Sequence, residues 1–230
     1  MVRAVEGLPR ACRVRVGGPV HFRGISRGWR KVPAIGRVSV LALPGTYTVT
    51  LTVGDEKFTQ KVNVLKDPHS AGSESDIQAQ TRVQTALYDE MNATAATVNQ
   101  IESLRAQLVA LGKELGSDDA SKPVRKAADE LGEKLSGIEG TLLQLKLTGR
   151  GQDDCRWAPM LVQKVDYLFH QLDSSADFPP TTQQTAVQEE LKQRGDKAAQ
   201  DFQQLVGKEV AAFNGMLREH NIGNIYFRTP

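Results

Sequence analysis

Asp153-Asp154-Cys155 is the one place where neighbouring side chains of this chain suggest chemistry, either a metal or a nucleophile. A metal there needs further nitrogen, sulfur or carboxylate donors, and a nucleophilic thiol needs a base beside it. No histidine stands near the triplet. An acidic pair ahead of a helix has a plainer role as cap and dipole partner, and that is the reading adopted. His170, between Phe169 and Gln171, has the type of a general base but reads as a boundary residue of a helix. His220 closes the last helix, where a cation suits the dipole. His21 and His69 fall in loops. Glu189-Glu190 and Asp129-Glu130 occupy outward positions of helical repeats and read as solvated. Asn92-Ala93-Thr94 has the glycosylation pattern but sits on a helix and reads as chance.

The chain contains no glycine-rich dinucleotide fingerprint, P-loop, HExxH or GxSxG. No residue is therefore assigned a catalytic, cofactor-binding or metal-binding role, and no cofactor is expected. Cys12 and Cys155 stand far apart with no partner at metal spacing, and they read as two thiols before a disulfide.

The surrounding elements are better defined. From Pro44-Gly45, Tyr47, Val49, Leu51 and Val53 share one face of a strand, and Thr46, Thr48, Thr50 and Thr52 the other. Gly54-Asp55 turns the chain, and Phe58, Val62 and Val64 return with the same period of two. This predicts a half-buried hairpin closing at Lys66-Asp67-Pro68. His69–Ser75 reads as a linker, with Ser73 or Ser75 as helix cap.

Beyond it, Leu87, Met91, Thr94, Val98, Ile101, Leu104, Leu108, Leu111 and Leu115 predict a helix over 76–115, about 60 Å long. Val124, Ala128, Leu131, Leu135, Ile138, Leu142 and Leu145 form a strict a/d seam on a second helix over 122–147, with Pro123 in its first turn. Leu161, Val165, Leu168 and Leu172 face inward on a third over 158–173, flanked by Trp157 and Phe169. Val187, Leu191, Ala198, Phe202, Leu205, Val206, Val210, Phe213 and Leu217 mark a fourth over 182–219. Gly195, Gly207 and Gly215 lie inside that last helix, so bending or a close helix contact is expected there. Ile225-Tyr226-Phe227 adds an extended end.

The fold class read from this pattern is α+β: a small Ig-like antiparallel β unit, then a long-helix antiparallel four-helix bundle. Its parts are a basic, irregular lead-in (1–37) to the β region, a partial Ig-like module (38–68), a linker (69–75) and the bundle (76–230); Val14, Val16 and Val20 in the lead-in and Val38 and Val40 after it read as short-strand residues. The third helix is less than half the first. The first must then project, bend, or pack its free end on the β unit or on another chain. Hydrophobic residues at 40% and charged residues at 24% exclude global disorder. No stretch approaches a membrane span, and no apolar signal-peptide core follows Met1.

The net charge of +2 conceals an asymmetry. Nine basic residues against Glu6 alone give 1–37 a net +8, which leaves −6 for the rest. Such an arm, with Trp29 and Phe22 as its large aromatics, has the charge to touch nucleic acid but carries no recognisable nucleic-acid module.

One resemblance emerges from the strand Pro44–Val53, its return to Lys66-Asp67-Pro68, and the helical tail. In that tail, Phe178-Pro179-Pro180-Thr181 and Phe213-Asn214-Gly215-Met216-Leu217 lead into Ile222-Gly223-Asn224-Ile225. Together these residues make 44–230 resemble the C-terminal region of bacterial sortilin-like β-propeller proteins that carry a glycosyl hydrolase label. The resemblance implies an exported protein with a large propeller upstream, any carbohydrate or peptide site lying on that propeller. Residues 1–37 depart from the pattern, and no catalytic residue of the family has a matching position here.

The expectation is therefore a non-enzymatic interaction or scaffolding module, taken as a C-terminal piece of such a protein. Its expected partner is a protein or a propeller-containing polypeptide, and self-association is compatible with the long first helix. A glycan-acting hydrolase or its accessory domain is the alternative, requiring a pocket with two carboxylates at glycosidase spacing. Nucleic-acid binding through 1–37 is the second alternative, and it requires affinity that collapses with salt.

Overall fold

A computed structural model describes residues 15–16, 39–116, 119–147, 156–174 and 176–226. Within them the chain is mostly helical with small antiparallel sheets, in the order β1 (Arg15–Val16), β2 (Val40–Leu41), β3 (Gly45–Val53), β4 (Glu56–Val64), α1 (Glu74–Glu114), α2 (Lys122–Leu142), α3 (Leu161–Asp173) and α4 (Thr182–Leu205). A π-turn (Val206–Val210) and α5 (Ala211–Glu219) follow. β1 pairs with β2 and β3 with β4, both antiparallel, as two separate two-stranded sheets. The basic lead-in except for β1, the Asp153-Asp154-Cys155 triplet, Cys12 and His21 lie outside the described residues.

Capping chemistry sets the starts of α1 and α4. Ser73 accepts from the Asp76 N–H at 3.2 Å, and the Asp76 carboxylate accepts from the Ser73 N–H at 2.9 Å. This is a reciprocal capping box with Asp in the place of Glu. The Ser73 hydroxyl and N–H hold the Asp76 carboxyl below its ordinary value. Thr181 and Gln184 repeat the device at α4, with bonds of 3.1 and 2.9 Å.

The described residues divide into two compact units. The first comprises 39–89 and 165–189 with β1. Here α1 buries Ile77, Gln80, Gln84 and Leu87, and α3 buries Val165, Leu168, Phe169 and Leu172. Gln80 is buried because it has work to do: its Nε2 donates to the carbonyls of Leu172 at 2.6 Å and Ala176 at 2.9 Å, satisfying groups at the open C-terminal end of α3. Phe169, read from sequence as flanking, is only 1% exposed.

The second unit comprises 90–164 and 190–226. Its core joins Ile101, Leu104, Leu108 and Leu111 of α1 to Val124, Ala128, Leu131 and Leu135 of α2 and to Phe202, Val210, Phe213, Leu217 and Ile225. The seam predicted on α2 holds at Val124, Ala128, Leu131 and Leu135 and again at Leu142. Between Leu135 and Leu142, Glu139, rather than Ile138, is fully buried, and the Arg105 guanidinium reaches it. α2 then stops at Leu142, short of the predicted 147. Leu142 and Leu143 are both buried, and Leu143, the C-cap, adopts extended angles.

The last helix carries a π-turn that includes Gly207, and this turn sets the phase of its buried stripe. Leu191, Gly195, Ala198 and Phe202 are buried at steps of four and three, and so are Val210, Phe213 and Leu217. Phe202 and Val210 are eight apart where a heptad would give seven. The π-turn at Val206–Val210 absorbs the extra residue and keeps both stripes on one side.

After α5, residues 222–226 are irregular and held by two amides. Asn214 bonds both main-chain groups of Ile225, at 3.0 and 2.9 Å. Gln107 does the same for Tyr226, at 2.5 and 3.0 Å.

Candidate interaction surface

The β3–β4 hairpin gathers three exposed apolar side chains, Leu51, Val53 and Phe58, on one face. Gly54, with φ of +60°, opens a two-residue turn, and Val53 pairs with Glu56 across it. Glycine at the first turn position supplies the backbone twist that such hairpins favour. The register then places Leu51 opposite Phe58, Val49 opposite Gln60, Tyr47 opposite Val62 and Gly45 opposite Val64. Residues directly opposite share a face, so one face is apolar apart from Gln60 and Glu56. The other pairs Thr46 with Asn63, Thr48 with Lys61 and Thr50 with Thr59. Thr46 Oγ1 donates to Asn63 Oδ1 at 2.8 Å on that polar face.

The half-buried hairpin expected from the alternation holds only at its base. Tyr47, Val49, Val62 and Val64 are half-buried, and the Tyr47 hydroxyl donates to the Leu43 carbonyl at 2.8 Å. Toward the turn, Leu51 is 60%, Val53 58% and Phe58 54% exposed. Strict alternation shows which side chains share a face. It does not show what covers that face. At the base, Val64 also lines a cleft of about 720 Å³ with Pro44, Ile77, Gln80, Asp177 and Phe178.

His170, its side chain half exposed, sits one helical turn from Asp166, with 3.4 Å between Nε2 and the carboxylate. Its ring meets Phe169 edge-on. Burial pushes the Asp166 carboxyl above its ordinary range, and His170 partly offsets this. The pair is local to one helix. His220 occupies the C-cap of α5, where its N–H donates to the Met216 and Leu217 carbonyls. His69 lies exposed in the linker. Asp129 and Glu130 are exposed on α2, Glu130 facing Lys126 at 3.8 Å. Glu190 pairs with Arg194 on the outer face of α4. Among the described residues no three His, Cys, Asp or Glu side chains are grouped to hold a metal ion, and no helix is long and apolar enough to cross a membrane.

Two further acids, Glu139 and Glu90, are held against neighbouring helices. Glu139 is fully buried beside Arg105. Glu90 lies against α4 so closely that a Cβ on Gly195 would fall 1.7 Å from its carboxylate oxygen. Desolvation pushes the Glu90 carboxyl above its ordinary range; Asp196 adds to this, while Thr94 and Lys192 oppose it. A carboxyl raised by folding favours the protonated native state. Its stabilising contribution is full below the ordinary glutamate range and is lost as pH climbs through the raised value. Glu90→Gln, which fixes the neutral form, should raise the thermal midpoint at pH 7, with the gain shrinking toward pH 4. A pH series of melting curves checks this, and a gain independent of pH contradicts it.

The chain matches no protein family, no curated protein and no solved structure.

Proposed function

We propose that this chain is a non-enzymatic interaction module: an incomplete Ig-like β unit carried on a long-helix, four-helix bundle. On this reading it serves as the C-terminal accessory region of an exported, sortilin-like propeller protein. The observation that carries the proposal is the hairpin tip, where Leu51, Val53 and Phe58 present one apolar face to solvent from paired nine-residue strands. Soluble proteins keep contiguous apolar faces for contacts. An isolated two-stranded hairpin is marginal until a further strand or a packing surface covers it. Within the hairpin's own compact unit, Leu87, Phe169 and Leu172 are fully buried on α1 and α3.

The test is capture from native lysate on the immobilised full chain, with mass determination of the intact complex. Recovery of a propeller-bearing polypeptide is expected, falling by about tenfold or more for the Leu51→Lys/Phe58→Lys variant, which places charge on the contact face. Hydrolysis of a glycan by the purified chain, or capture indifferent to those substitutions, would overturn the reading.

A further inference from the structure

The two edges of the hairpin differ. β4 carries Glu56, Lys57 and Lys61, the charged side chains by which sheet edges resist further pairing. β3, Gly-Thr-Tyr-Thr-Val-Thr-Leu-Thr-Val, has no charge and no proline over nine residues and is rich in β-branched side chains. Among the described residues no third strand joins this sheet. The two-residue turn closes on the Val53–Glu56 pair. The main-chain groups of Val53, Leu51, Val49 and Tyr47 are therefore directed at β4, and those of Thr46, Thr48, Thr50 and Thr52 at the open edge.

We propose that a second copy of this chain occupies the β3 edge, adding its own β3 antiparallel about a two-fold axis at Val49. The proposal rests on the reading of the hairpin as a contact surface and names the occupant. Self-complementarity argues for it. Pairing Val49 with Val49 of the second copy sets Tyr47 opposite Leu51 and Thr48 opposite Thr50, so apolar residues meet apolar ones and threonines meet threonines. No charge is brought against a like charge, as would happen with Lys57 and Lys61 along the β4 edge. The product is a four-stranded sheet whose apolar side is continuous across both copies. Nine paired residues overlap over about 30 Å. Such a strip is smaller than a standard stable interface, so the dimer is weak and reversible.

Sedimentation of the full chain over a range of concentrations tests this. A reversible monomer–dimer equilibrium is expected. Thr50→Pro removes an outward N–H while sparing the ladder to β4, and it should weaken the dimer about tenfold or more, since symmetry removes the bond twice. Thr50→Lys, which places a charge on the same edge, should do likewise, and Thr59→Lys on β4 should leave the dimer intact.

In a Cys12→Ser/Cys155→Ser background, Val49→Cys should cross-link two copies on oxidation, because facing residues of such a pair approach to about 4.5 Å between Cα atoms. Gln60→Cys should not. A chain that stays monomeric and uncross-linked overturns the proposal and leaves another strand as the occupant of the edge. A dimer indifferent to both Thr50 substitutions overturns it equally, since the interface then lies elsewhere. Capture of a propeller-bearing polypeptide by a strictly monomeric chain would defeat this inference while sustaining the interaction-module reading.

Discussion

Arg105→Met should destabilise the protein by about 3–5 kcal/mol, because it strips the guanidinium from a fully buried carboxylate. Glu139 is 0% exposed on α2, and Arg105, about a quarter exposed on α1, reaches in to it. With the cation gone, the buried carboxylate loses that charge partner. For a chain of this size the loss lowers the melting midpoint by about 6–20 °C. Glu139→Leu alone should cost less, since the remaining arginine can swing to solvent. The double variant Arg105→Met/Glu139→Leu should recover most of the loss, because apolar groups of similar volume often replace a buried pair without penalty. Chemical denaturation of the four species measures the coupling directly. Additive losses in the double variant would show that the pair does not act as a unit.

Deleting Gly207 should be tolerated, whereas inserting an alanine after it should unfold the second unit. The eight-residue gap between Phe202 and Val210 already holds one residue more than a heptad, and the π-turn carries it. Deletion turns that segment into ordinary α-helix and leaves Val210, Phe213 and Leu217 on the core side, with a stability change of about 1 kcal/mol or less. Insertion adds a second surplus residue and turns the downstream stripe away from Ile101, Leu104 and Leu131. Each large side chain so exposed costs about 1.5–3 kcal/mol, which for three of them rivals the whole stability of a domain. Circular dichroism melts of both variants check this. Equal damage from deletion and insertion would show that the π-turn does not set the phase.

Much of this architecture is legible in the sequence because period is a local property. The threonine alternation of β3 announces the hairpin and its register, and the Val124–Leu135 seam announces α2. Period reading counts only apolar residues, however. It starts α1's buried stripe at Leu87 and overlooks Gln80 and Gln84, which continue it upstream as buried polar groups. For the same reason Ile138 looks like the seam residue where Glu139 occupies it. The slip in the last helix is present in the sequence but masked, because Leu205 and Val206 are adjacent and either satisfies the expected step. The exposure of Leu51 and Phe58 is invisible at that level, since cover depends on what lies across from a face. The candidate surface was thus legible as a strand pair, and its openness only in three dimensions.

The most direct test of the central claim is the hydration of the hairpin tip in the isolated chain and in its complex. Hydrogen exchange at the amides of Thr46, Thr48, Thr50 and Thr52 reports it, because these point away from β4. The account predicts fast exchange in dilute isolated protein and strong protection once a partner is bound. Fast exchange at those four amides in every complex the chain forms would contradict it.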